Sequence, residues 1–205
     1  MKIVLATRNK GKIREFGDLL SRYLKKIDVL SLDDIGFDGE IEENGSSFEE
    51  NAMIKARAAS DFSGLIAVAD DSGLVVEALN GAPGIHSARY SGVEGPDCDR
   101  ANNEKLLHEL EGVSVRDAAF VCCIACAFPD SMPARDFTVY GATPGEILCA
   151  PRGENGFGYD PLFWYDDLGK TFAEMTPEEK NSLSHRARAT VKLAERFANM
   201  IIVGE

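Results

Sequence analysis

Lys55 stands where a charge is least expected. At about 100° per residue it falls between Phe48, Ala52, Ala59 and Phe62, at the centre of an apolar stripe on a predicted helix. Lysine is seldom buried without a partner, so its ammonium is expected to pass the core and meet a carboxylate or phosphate in a cleft. Asp70 and Asp71 follow the apolar run Leu65–Ala69, and paired acids at the end of a buried strand suit magnesium. That ion takes one or two protein carboxylates and completes its shell with phosphate oxygens and water, so Glu42 or Glu43 of the acidic loop offers a further ligand. An Asp-Asp pair alone reads as a turn; the buried lysine and a basic helix start tip it towards chemistry. That start is Thr7-Arg-Asn-Lys-Gly-Lys12, which follows the short strand Ile3–Ala6. Lys10, Lys12 and Arg14 oppose the helix dipole there by up to about 1 kcal/mol each, which makes sense if an anion docks. Thr7, Asn9 and the lysines would then complete a phosphate cradle, although the same segment reads equally well as a solvated basic face. No P-loop pattern occurs.

Further along, Gly153–Pro161 sets three glycines around two aromatics and an acid. Glycines admit close approach to a flat ligand, and Phe157 or Tyr159 could stack on a base. Lys180, His185 and Arg186 are all donors and match the 6-oxo group of a purine better than adenine's 6-amino group. Taken singly, the glycine motif reads as a turn beside core aromatics and the His-Arg pair as solvated surface.

The elements that must carry these residues alternate. Near-continuous apolar strands at Ile3–Ala6, residues 27–30 and Leu65–Ala69 are separated by helical patterns, one running from the Thr7 loop to about Leu24 and one starting at Ser46 or Ser47. Glu49 and Glu50 lie three residues beyond those serines, as overlapping capping boxes. Such strands predict an α/β sheet covered on both faces, with ligands at strand C-terminal ends. Ala118–Phe128 and Arg135–Gly141, joined by a Pro-containing turn, predict an antiparallel insertion and hence a mixed sheet. Thr176-Pro-Glu-Glu179 is a helix start, and Val191, Ala194, Phe197, Ala198 and Ile201 predict a terminal amphipathic helix.

A chain of 205 residues, 44% apolar, forms one domain of adequate core, here expected to be two-lobed. With 22 Lys and Arg against 34 Asp and Glu, the net charge of −12 argues against sequence-independent binding of a nucleic acid polymer, so any phosphate site is a local pocket. The longest apolar run falls short of a membrane span and the N-terminus lacks a signal pattern, which predicts a soluble, cytoplasmic chain. Three of the five cysteines sit inside that run; Cys123 and Cys126 would point to opposite faces of a strand, which spoils chelation and favours a reduced, buried strand.

The blocks Leu5–Lys12, Phe48–Ala56, Ala69–Leu74, Gly81–Gly92, Gly156–Pro161 and Glu179–Arg186 together resemble the inosine triphosphate pyrophosphatase family, the XTP/dITP diphosphatases, over nearly the whole chain. The resemblance implies an α/β fold, elongated and two-lobed, spanning 1–205, with a long mixed central sheet, flanking helices and a nucleotide cleft between the lobes. It implies a homodimer and magnesium-dependent hydrolysis of ITP, dITP and XTP to monophosphate and pyrophosphate. By that analogy Thr7, Arg8, Asn9, Lys10, Gly11, Lys12 and Lys55 hold the triphosphate, Glu43 and Asp71 bind Mg2+, and Asp71 is the general base. Ser72 contacts the nucleotide, while Phe157, Gly158, Tyr159, Asp160, Lys180, His185 and Arg186 recognise the base. The rivals are a nucleotide diphosphatase of the septum-inhibitor type, acting on pyrimidine or modified nucleotides, and a nucleotide sensor without turnover. Two structural expectations follow. Lys180 and His185 diverge by about 140° on one helix, so sharing a base requires a break near residues 181–183 and a new helix capped by Ser184. Lys55→Met, apolar in an apolar stripe, should leave stability equal or better.

Overall fold

The computed structural model describes the chain except for Met1, Lys10, Arg14, Glu15, Asp18, residues 20–26 and 204–205, and the side chains of residues 198–203. Lys10 and Arg14, and the expected run of the first helix to Leu24, therefore lie outside the described residues; positions 11–13, 16, 17 and 19 are helical. The elements are β1 (Lys2–Leu5), β2 (Asp28–Ser31), α1 (Phe48–Ser63), β3 (Ile66–Val76), α2 (Cys98–Glu109), β4 (Asp117–Ala127), β5 (Phe137–Ile147), β6 (Phe163–Tyr165), β7 (Lys170–Thr171), α3 (Pro177–Leu183) and α4 (His185–Val203). Among the described residues seven strands form one sheet in the order β2-β1-β3-β4-β5-β6-β7. β1 runs parallel to β2 and β3, and β6 antiparallel to β5 and β7, so the sheet is mixed as the strand patterns predict. The chain divides into two compact units, Met1–Asp71 with Cys122–Gly141 and Arg186–Glu205, and Ser72–Val121 with Ala142–His185.

In the first unit the two-residue period of the strands sorts the core into two layers. Ile3, Leu5, Ile66, Val68, Cys122, Ile124 and Cys126 pack with Phe16 and with Ala189, Leu193 and Phe197 of α4. Val4, Ala6, Ala67, Ala69, Cys123, Ala125 and Ala127 pack with Ala52, Ala56 and Ala59 of α1. The second layer is built largely of alanine, which lets α1 lie close to the sheet and brings Lys55 near the strands. Cys123 and Cys126 fall in different layers, as strand alternation requires, and all five cysteines are free. The stripe on α4 is centred differently from the sequence expectation: the row Ala189, Leu193, Phe197 is buried, whereas Val191 and Ala194 are half-buried.

Local signals act where their residues stand. Ser47 caps α1 by accepting from Glu50 N–H at 3.1 Å, and Gly64, at φ +66°, closes it. The two boxes expected there reduce to this one cap. The Glu50 carboxylate instead takes the N–H and hydroxyl of Ser46, and Glu49 accepts from the hydroxyls of Thr138 and Tyr140.

The second unit packs Leu74, Val76, Leu106, Leu110, Phe120, Ile147, Phe163 and Phe172 into a separate core. Thr176 and Glu179 form a complete capping box at the start of α3, with Pro177 in its first turn. α3 ends at Leu183, Ser184 is extended at φ −64° and ψ 156°, and α4 begins at His185, so the expected helix break is present.

Candidate functional site

The run Leu65–Ala69 was expected to stop at the aspartates, but β3 continues through them to Val76. The neighbour ends instead: β1 pairs Leu5 with Val68 and goes no further, and Ala6 N–H donates to Val68 O. Asp70 and Asp71 thus stand just past the last residue of β1 that pairs with β3, where the Thr7 loop begins, while still inside a strand. Alternation then turns the two carboxylates to opposite faces, so they do not act as a pair.

Asp70, on the α4 face, is fully buried. Its Oδ2 lies 3.1 Å from Lys12 Nζ and 3.4 Å from both Nε and Nη2 of Arg186. Burial opposes its charge, but Lys12, Arg186 and Lys55 together hold the carboxyl well below the usual range. Asp71, on the α1 face, places Oδ1 3.1 Å from Lys55 Nζ, which is also 3.2 Å from Glu43 Oε1. Burial pushes the Asp71 carboxyl up, against the pull of Lys55 and Lys12. For Lys55 burial works against the charge, but Asp71, Asp70 and Glu43 outweigh it and raise the ammonium's pKa. Of the two acids in the loop, Glu43 is the one that reaches Lys55.

Two residues not singled out earlier frame this cluster. Asn51, fully buried on α1, accepts from Gly45 N–H at 2.8 Å and sits with Nδ2 3.5 Å from Asp71 Oδ2, tying the loop that carries Glu43 to Asp71. A Cβ on Gly45 would stand 2.7 Å from Asn51 Oδ1, so only glycine closes this approach. Glu43 and Asp71 fit a hard divalent cation: two carboxylates converge on one point already occupied by positive charge. No group of three such ligands occurs among the described residues.

In the Thr7–Lys12 segment, Asn9 caps the helix by accepting from Gly11 and Lys12 N–H, and Thr7 Oγ1 accepts from Asn9 N–H. Arg8 is turned away from the Lys12–Asp70 pair, donating to the carbonyls of Phe37 and Gly39. Ser72, next along β3, is half-buried.

In the second unit Asp160 Oδ2 accepts from Phe157 N–H at 2.9 Å and from Lys180 Nζ at 2.7 Å. Lys180 Nζ also stands 5.0 Å from the Phe157 ring centre. The glycines serve the protein's own packing. A Cβ on Gly156 would come within 2.0 Å of Asp160 Oδ2, and one on Gly153 within 2.4 Å of the Ala173 backbone. Tyr159 is a core residue, its hydroxyl donating to Ser87 O; Phe157 is half-buried. His185 stacks on Phe120 with centroids 4.9 Å apart and planes 17° apart.

The profile of the Ham1 family matches residues 3–196. This chain belongs to the Ham1 family. It is 52% identical to a dITP/XTP pyrophosphatase of Syntrophobacter fumaroxidans over 97% of this chain and 83% of that protein. Among solved structures it is similar to the Ham1 protein of Staphylococcus aureus, 40% identical, TM-score 0.86, covering 98% of this chain and all of that one. It is also similar to the nucleoside-triphosphatase, or dITP/XTP pyrophosphatase, of Mycobacterium abscessus, 44% identical, TM-score 0.75, covering 94% and 98%. The family resemblance carried by the sequence blocks is thereby borne out. Within this Ham1 chain, Arg186 differs most from its sequence reading: expected as exposed or base-facing, it is 2% exposed and its guanidinium lies against Asp70. Among the described residues, no helix is long and apolar enough to cross a membrane.

Proposed function

We propose that this chain hydrolyses the deaminated purine nucleoside triphosphates ITP, dITP and XTP to monophosphate and pyrophosphate. The observation that carries the reading is the set of cation–carboxylate clusters on the two faces of β3, Lys12 with Asp70 and Lys55 with Asp71 and Glu43. Lys12 and Lys55 neutralise the triphosphate, the hydroxyls of Thr7 and Ser72 orient it, and Asn9, which caps the Gly11 and Lys12 N–H groups, holds the helix start that carries Lys12. Arg8 acts indirectly, by holding residues 37–39; Lys10 is carried over from the family pattern alone. Asp71, its affinity for a proton raised by burial, accepts one from the attacking water. The water oxygen bonds to the α-phosphorus, the bridging α–β bond breaks, and pyrophosphate leaves. Magnesium, when bound by Glu43 and Asp71, supplies neutralisation of charge on the phosphate oxygens.

For the base, Lys180 offers donors to a 6-oxo group and Phe157 a ring face, with Gly158 and Asp160 shaping the segment between them. His185 opens α4 stacked on Phe120, and Arg186 acts through Asp70. The names of the relatives and the donor bias favour this reading over the septum-inhibitor type. The test is a panel of nucleoside triphosphates with magnesium, followed by phosphorus NMR. ITP, dITP and XTP are expected to give pyrophosphate, with ATP slower by roughly 100-fold or more, since its amino group leaves donors unpaired. Orthophosphate as product, preference for a pyrimidine nucleotide, or binding without turnover would each overturn it.

We also propose a cytoplasmic homodimer, a reading supported by family resemblance and by five free cysteines. Sedimentation at twice the chain mass at micromolar concentration, and recovery in the cytosolic fraction, are the expected results.

A further inference from the structure

We infer that Asp99 and Asn103 of α2 are positioning residues for base recognition, because between them they hold both backbone polar groups of Gly158. Asp99 Oδ2 accepts from Gly158 N–H at 2.8 Å, and Asn103 Nδ2 donates to Gly158 O at 2.9 Å. The two side chains are four residues apart and so project from the same face of the helix, one turn from each other. Gly158 lies between Phe157 and the Tyr159–Asp160 pair, at φ +61°. Its placement sets the direction of the Phe157 ring and of the Asp160 carboxylate that receives Lys180.

On the α2 side Leu106 and Leu110 share one core with Tyr159 and Leu162, but Gly158 has no side chain to pack. A cavity of about 530 Å³ is lined by residues of both α2 and the Gly158 segment, with Leu107, Pro151 and Leu162 in its wall. Asp99, Asn103 and Gly158 all line this cavity, so the two hydrogen bonds lie in its wall. The orientation of Asn103 carries a cost. With Nδ2 committed to Gly158 O, its Oδ1 is left without a partner among the described residues. The preceding residue acts on the neighbouring loop in the same way: Asn102 accepts from Ser91 N–H and donates to the carbonyls of Ser87 and Ala88. Ser87 O is also the acceptor of the Tyr159 hydroxyl. Consecutive asparagines of α2 thus bind the two segments that flank Phe157 and Tyr159, and this accounts for part of the Gly81–Gly92 block, which the proposed chemistry leaves unused.

The inference rests on the proposed role of Phe157–Asp160 towards the base. Loosening Gly158 should blur base discrimination while leaving phosphate chemistry in place. In Asp99→Ala and Asn103→Ala, KM for ITP should rise and the ITP-to-ATP preference in kcat/KM fall, each by roughly tenfold, with kcat for ITP within about twofold of wild type. Asp99→Asn, which keeps an acceptor for Gly158 N–H, should restore most of the preference. Amide hydrogen exchange gives a readout independent of turnover: the Gly158 amide should exchange faster in Asp99→Ala, with β4 amides as protected as in wild type. Asp99 is exposed, so its replacement tests the idea even if Asn103→Ala fails to fold. A wild-type chain that hydrolyses ITP and ATP alike overturns the base-recognition reading. A wild-type preference that survives both alanine variants, or a Gly158 amide unaffected by Asp99→Ala, overturns this inference alone.

Discussion

Asp71→Asn is expected to lower pyrophosphate release from ITP by on the order of a thousandfold or more, with the fold retained. The substitution keeps side-chain volume but removes the proton acceptor and one of two carboxylates suited to a divalent cation, and loss of a positioned base alone costs roughly 100- to 10,000-fold. Stability should change little, and the sign can be worked out. Burial raises the Asp71 carboxyl above its ordinary value, so the folded chain favours the neutral form more than the unfolded chain does. A neutral isostere therefore removes a charge that folding opposes, and Asn Oδ1 can still accept from Lys55. Against this stands the Asn51 amide near Asp71 Oδ2, which would face a donor if the new side chain points its nitrogen there. The net cost is expected to be about 1 kcal/mol by urea denaturation. Activity within a few-fold of wild type would remove Asp71 from the chemistry.

Why the chemistry of β3 was only half legible in the sequence follows from its geometry. The abrupt change from Leu65–Ala69 to Asp70-Asp71-Ser72-Gly73 reads as a strand end because local composition is all a sequence window offers. Pairing within the sheet carries β3 on to Val76, and beyond the end of β1 Asp70 is met by Lys12 and Arg186. The strand end that brings the Thr7 loop beside Asp70 is thus that of β1, not that of β3. Adjacent acids also read as a pair, until the strand sends Asp70 to α4 and Asp71 to α1.

Signals confined to a few residues transferred well. The Thr176–Glu179 box and the break before His185 are settled within one or two turns of chain. Lys55 was legible for a related reason, since its conflict with an apolar stripe is visible on one helix. Arg186 was not, because what buries it is Asp70, 116 residues away in sequence. The burial of Tyr159 was hidden for the same reason, since its hydroxyl is held by Ser87 O, 72 residues distant. Gly153 and Gly156 did mark close approach, although what approaches is Ala173 and Asp160 of the chain itself.

Lys55→Met turns on the same distinction between an apolar stripe and what the stripe contains. Considered on α1 alone, methionine among Ala52, Ala56 and Ala59 should be neutral or stabilising. The structure reverses the sign, because Lys55 is the cation between buried Asp71 and half-buried Glu43. Removing one partner of a buried pair leaves the other's charge uncompensated, which costs about 3 kcal/mol, more than an added apolar side chain returns. Lys55→Met is thus expected to be both less stable by about that amount at neutral pH and slower by several orders of magnitude. A second substitution separates the two effects. Lys55→Met combined with Asp71→Asn removes both charges, so the double variant should be more stable than Lys55→Met alone while remaining equally inactive. If Lys55→Met proves as stable as wild type, the ion pair contributes nothing to the fold and the apolar-stripe argument stands. If the double variant is less stable than either single one, the losses are independent and Asp71 is not the charge that Lys55 compensates.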